Sequence, residues 1–286
     1  MQKRFSILAV TAALVLLVPA VARAATGTFD RTLHENGTVM LSVHTGSGYI
    51  HVTPGPAGEI HIVGHVQANG WGLGASAEDR VQRVVSNPPI EQEGNTVTIG
   101  AQHGDWLNNV SIDYEITAPR GTQLEAGTGS GDLRLMDLGS SLKADTGSGN
   151  IQASGFTGHV ELRSGSGDIH AQLQSANDVS AHSGSGTIVV SGINGSLYAE
   201  TGSGDIEITG RPAAGWQLRS GSGDVTLTTG NAAFTLDAST GSGDVHSDAS
   251  ISTHGSLGHH HIEGDVNGGG PTVRVSTGSG DIRIHS

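Results

Sequence analysis

One six-residue phrase returns eight times in the last 166 residues of this 286-residue chain, and it limits the possible folds more than any other feature. It reads Thr or Ser, then Gly-Ser-Gly, then usually Asp, then an aliphatic residue. The copies start at Thr128, Thr146, Ser164, Ser183, Thr201, Ser220, Thr240 and Thr277. Their glycines are Gly129 and Gly131, Gly147 and Gly149, Gly165 and Gly167, Gly184 and Gly186, Gly202 and Gly204, Gly221 and Gly223, Gly241 and Gly243, and Gly278 and Gly280. Successive middle serines are 18, 18, 19, 18, 19, 20 and 37 residues apart, the last step being double and holding a worn copy at Glu263-Gly264-Asp265-Val266. A fixed period of this size means that each copy is one layer of a stack.

Between the glycines the residues alternate. Leu142, Ala144 and Thr146 share one parity, while Lys143 and Asp145 take the other. Period two marks a strand with one buried face. Leu142 to Ile151 is nine residues and Ile151 to Val160 is nine again, so a repeat holds two strands and two turns. A hexapeptide helix would need an aliphatic residue at every sixth position. The expected fold is therefore all-β: a parallel β-helix or β-solenoid of about 18–20 residues per coil with two main sheets. Glycine in the phrase is expected to give room for close stacking and access to φ > 0. The Asp is expected to accept from its own turn's N–H groups.

Lys3 and Arg4, the apolar run Ile7 to Val18, and Ala22-Arg23-Ala24 together read as a secretory leader over residues 1–24. The chain is then exported, to the periplasm or to the cell surface and medium. Loss of Lys3, Arg4 and Arg23 takes the formal charge from −13 to −16. Such a balance argues against nucleic acid and anionic membranes as partners. No second apolar run suggests a transmembrane span. With no Cys, 45 Gly and 3% aromatics, thin coils fit better than a thick core, and stability has to come from stacking.

Residues 25–120 share the style without the strict repeat, and read as a β-rich cap on a solenoid formed by 121–286. Thr45-Gly46-Ser47-Gly48-Tyr49-Ile50 is an early copy of the phrase. Ser76 is placed to cap a short helix over 76–86, which Pro88-Pro89 ends. Ile90 to Gly100 predicts a hairpin turning at Gly94-Asn95. The segment Tyr114 to Asp132 (a strand, Ala-Pro-Arg-Gly-Thr, then Gly-Ser-Gly-Asp) resembles the bacterial "putative adhesin" family of β-strand repeats over roughly residues 36–286. That resemblance implies an exported cell-envelope domain with a β-helical fold, and it brings no catalytic residues.

The candidate chemistry centres on the recurring acids Asp132, Asp168, Asp205, Asp224, Asp244, Asp265 and Asp281, interrupted by Asn150 and Thr187. Acids after Gly-rich turns suit calcium, although nonapeptide calcium rolls use Gly-Gly-x-Gly-x-Asp on both turns. Stabilisation of the turns is the alternative role. A glycosidase pair gains nothing from the ladder, because any stack yields carboxyls at one or two spacings of about 4.8 Å. His254 and His259 to His261 suggest a local metal site or a polar loop. Ser130, Ser166 and Ser203 recur on every coil without a nucleophile elbow. Trp71, Trp106 and Trp216 suit sugar stacking or cap packing. The reading is a non-enzymatic structural or adhesive protein that binds a protein or a cell-surface glycan through many weak contacts. A calcium-dependent module and a polysaccharide-active enzyme are the alternatives. The final coil, Asp281 to His285, is expected to leave an open edge for self-association.

Overall fold

The computed structural model describes residues 24–69, 76–100, 109–253 and 258–286. Nearly all of the leader, together with Trp71, Trp106 and His254, lies outside the described residues. The fold is a β-solenoid, with one short helix among the described residues, Ala77–Ser86.

Each repeat forms one rung from two strands. The first stack of parallel strands contains Gln123–Thr128, Leu142–Thr146, His159–Ser164, 178–183, 196–201 and Trp216–Ser220. The second contains Leu133–Met136, Ile151–Ser154, 169–172, 188–191, Ile206–Thr209 and Val225–Thr228. Register is kept to the residue. Leu124, Leu142, Val160, Val179, Leu197 and Trp216 form one inward column, and Leu133, Ile151, Ile169, Ile188, Ile206 and Val225 form the other. All twelve are buried. These columns replace the thick core of a globular domain, and truncating one of their aliphatic members to Ala costs about 2–5 kcal/mol.

The rungs do not stack in chain order at either end. Thr272–Thr277 pairs with Trp216–Ser220 on one side and with Phe234–Thr240 on the other. Ile282–His285 likewise lies between Val225–Thr228 and Val245–Ser247. The final coil is therefore intercalated, one rung in from the end. The expected open edge there does not exist, because both flanks of both strands are hydrogen-bonded. The double step of 37 residues has the same cause: the rung of Phe234–Thr240 and Val245–Ser247 is laid down first, beyond the place kept for the last one.

Glu263-Gly264-Asp265-Val266 is not a worn corner. It belongs to the strand His261–Val266, which runs antiparallel to Phe234–Thr240 and carries Ile251–Thr253 on its outer side. The early phrase at 45–50 does make a regular rung. Leu41 stands over Leu124 and Ile50 over Leu133. Beyond it come Thr96–Ile99 and Val110–Ala118, again residues from later in the chain. The antiparallel strands Glu59–Ala68 and Ala25–His34 follow. Strand direction thus reverses at both ends of the parallel stack.

The helix lies on this outer pair. Ser76 accepts from the Asp79 N–H (3.1 Å) as its N-cap, and Val81 and Val84 are buried. Gly27 admits the helix, since its missing Cβ would sit 2.6 Å from Val81 Cγ1. Ile90–Glu93 and Thr96–Ile99 form the hairpin predicted at Gly94-Asn95.

Candidate functional site

The repeated corner is built by its first residue, which sequence reading passed over. Ser164 is buried; its hydroxyl donates to Gly149 O of the preceding rung (3.0 Å) and accepts from Gly167 N of its own turn (2.8 Å). Thr146, Ser183, Thr201 and Ser220 make the same two bonds. Only a hydroxyl both donates and accepts at this size, so the position accepts Ser or Thr alone. That restriction was the visible signal. The middle serines, among them Ser130, Ser148, Ser166 and Ser203, are exposed and follow one another rung by rung.

The glycines of the phrase are required by close approach and not by φ. None of them has a positive φ. A Cβ on Gly149 would sit 1.8 Å from Gly131 O, and one on Gly147 would sit 2.3 Å from Gly129 O. Positive φ belongs instead to the other, variable turn, at Gly121, Gly139, Gly155, Gly192 and Gly230.

The acids reach across rungs, whereas the sequence suggested bonds within each turn. Asp132 Oδ1 accepts from Asn150 N (2.8 Å), Asn150 Oδ1 from Asp168 N (2.9 Å), and Asp168 Oδ1 from Thr187 N (2.8 Å). The series resumes as Asp205 to Asp224, Asp224 to Asp281 and Asp281 to Asp244, so Asp281 precedes Asp244 in space. Asp265 stands apart from the ladder and accepts from Thr235 Oγ1 (2.8 Å). Arg283 bridges Asp224 and Asp281 at 2.7 Å each. Its guanidinium, together with the Asp281 N–H, holds the Asp224 carboxyl below the usual carboxylate range. Calcium takes six to eight oxygens. Among the described residues no three of His, Asp and Glu come together as a metal site.

The other sequence candidates take ordinary places. His259 O and His260 O accept from Val245 N and Thr240 N (2.8 and 2.9 Å), so this stretch covers the outermost corner. Trp216 is an inward core residue, with Nε1 donating to Gly195 O at 2.9 Å.

A cluster that does not repeat sits beside the ladder near the first rungs. Tyr49 occupies the Asp place of the early phrase. It is 37% exposed, and the only other exposed large apolar side chain among the described residues is Met40. Its N–H donates to Asp113 Oδ1 and its hydroxyl to Glu115 Oε1, both at 3.0 Å. Partial burial and the Glu115 carboxylate push the phenol up to about 12, so it stays a neutral donor. Register then aligns Glu115, His51, Arg134, Gln152 and His170 on five successive rungs. Between this row and the ladder residues Asp132, Asn150 and Asp168 runs a groove of about 560 Å³. A second concavity, of about 610 Å³, follows the glycine corner from Gly46 to Gly184 beneath Asp145 and Arg163. Its lining repeats Thr or Ser followed by Gly on successive rungs and adds His44, Asp145, Arg163 and His182, while the Tyr49 groove carries an exposed aromatic ring. The departure of Tyr49 from the phrase could have flagged it. The pairing with Glu115, 66 residues away, could not have been read.

Residues 76–285 match the model of the Toastrack DUF4097 family. Among solved structures, the chain is similar to a "putative adhesin" of Bacteroides fragilis at 15% identity, over 90% of this chain and 97% of that one, with a TM-score of 0.42. It is also similar to a "putative cell adhesion protein" of Clostridium sporogenes at 14% identity, over 91% and 99%, with a TM-score of 0.29. No curated protein matches it.

Proposed function

The chain belongs to the Toastrack DUF4097 family, and from that premise we propose a non-catalytic structural or adhesive role at the bacterial cell envelope. The observation that carries this reading is the in-register corner, which presents one exposed serine per rung at a pitch of about 4.8 Å on a rigid support. Contacts that are weak singly then act together. The ladder acids support a scaffold role, because their Oδ1 atoms are already engaged by the next rung's N–H. The leader-like N-terminus supports export. The row of polar groups and the net negative charge favour a surface glycan or protein as the target over nucleic acid.

The test is adhesion of beads carrying residues 25–286 to isolated cell envelopes. Retention that grows steeply with bead loading is expected. No retention at any loading, or recovery of the natural chain in the cytosolic fraction, overturns the reading. Calcium binding by the ladder is tested separately: a melting temperature unchanged by millimolar calcium is expected, and a rise assigns the acids to an ion. One Asp-to-Asn change that abolished polysaccharide turnover while its ladder neighbours tolerated the same change would establish the enzyme alternative.

A further inference from the structure

We propose that the groove beside Tyr49 is a binding subsite for a neutral, extended oligosaccharide; this rests on the adhesive reading above and gives it a ligand class. Three observations lead there. First, Tyr49 interrupts an otherwise polar ladder with an exposed ring, held in place by its own N–H and hydroxyl bonds. A fixed aromatic face with a polar tip covers apolar C–H surface at little conformational cost.

Second, the groove's polar groups are planar and of both kinds. Arg134 donates through Nε to Gln152 Oε1 (2.9 Å) and is in no ion pair among the described residues. Asp132 and Asp168 each give only Oδ1 to the ladder. Donors of the strand row thus face free acceptor oxygens of the ladder across the groove. A hydroxyl, which both donates and accepts, can pair with either wall. A polyanion would meet Asp132, Asp168 and Glu115, and a polycation would meet Arg134 in the middle of the row.

Third, the rungs are spaced by about 4.8 Å, close to the advance of one pyranosyl unit along an extended chain. Successive sugars would therefore meet successive rungs. The volume of about 560 Å³ falls in the usual range for ligand sites, about 300–1,000 Å³.

The experiment uses residues 25–286, a printed array of neutral hexose and N-acetylhexosamine oligomers, and calorimetry on whichever oligomer binds. Tyr49→Ala and Gln152→Ala are each expected to weaken binding about tenfold or more. Tyr49→Phe keeps the ring but loses the hydroxyl bond to Glu115, and should bind more weakly than the parent and more tightly than Tyr49→Ala. Asp205→Asn, on the ladder outside the groove, should bind unchanged. Melting curves confirm that each variant is folded. The proposal is overturned if no neutral oligomer binds at millimolar concentration, if only charged polymers bind, or if binding survives both Tyr49→Ala and Gln152→Ala. Should the beads still adhere to envelopes in any of those cases, the groove assignment alone falls and the adhesive reading stands.

Discussion

At the scale of the residue, two atoms decide the corner: the hydrogen that replaces Cβ on glycine, and the hydroxyl oxygen one position earlier. Gly147→Ala forces a methyl group to 2.3 Å from a carbonyl oxygen that the stack cannot move away. A loss of about 1–3 kcal/mol is expected in urea unfolding. Gly46→Ala is the control, since nothing lies within 4 Å of its added Cβ. It should fall within about 0.5 kcal/mol of the parent, and equal costs at the two positions would refute the close-approach account. Ser183→Ala strands Gly167 O and Gly186 N in a site of zero exposure, for an expected loss of about 1–3 kcal/mol. The phrase was legible as a corner because it recurs. Why each glycine is there was not, since sequence does not distinguish a glycine that needs φ > 0 from one that a neighbouring carbonyl approaches.

Elements show where a one-dimensional period misleads. Strand identity, parity and inward residues were all readable, because alternation is local. The order of the rungs was not, because a period assumes that neighbours in the chain are neighbours in space. Arg283 is the clearest casualty: it sits in the last strand, yet it serves the acid of a rung 59 residues earlier. That contact makes a pH prediction. Asp224 titrates below its ordinary value when folded, so the contribution is complete above about pH 4, where the unfolded carboxyl ionises. It is lost as pH falls through the lower, folded value. Arg283→Met is expected to flatten the acid limb of the melting temperature against pH, and an unchanged limb would show the pair to be inert. Both side chains are more than a third exposed, so salt should blunt the effect.

For the whole molecule, the intercalated coil predicts a pattern of protection that a simple linear stack would not. Amides of Thr272–Thr277 and Ile282–His285 should exchange as slowly as those of His159–Ser164, while Ile251–Thr253, at the outer margin, should exchange much faster. Fast exchange in both of the last two strands would contradict their place between rungs. The same placement sets a timetable for folding. Residues 234–247 leave the ribosome before 272–286 but have no floor to rest on until those residues arrive. The far end of the stack therefore cannot grow layer by layer behind the emerging chain. It must wait with a slot held open, and the late-made segment closes it like a keystone, so a chain cut short before that point leaves an arch without its final stone.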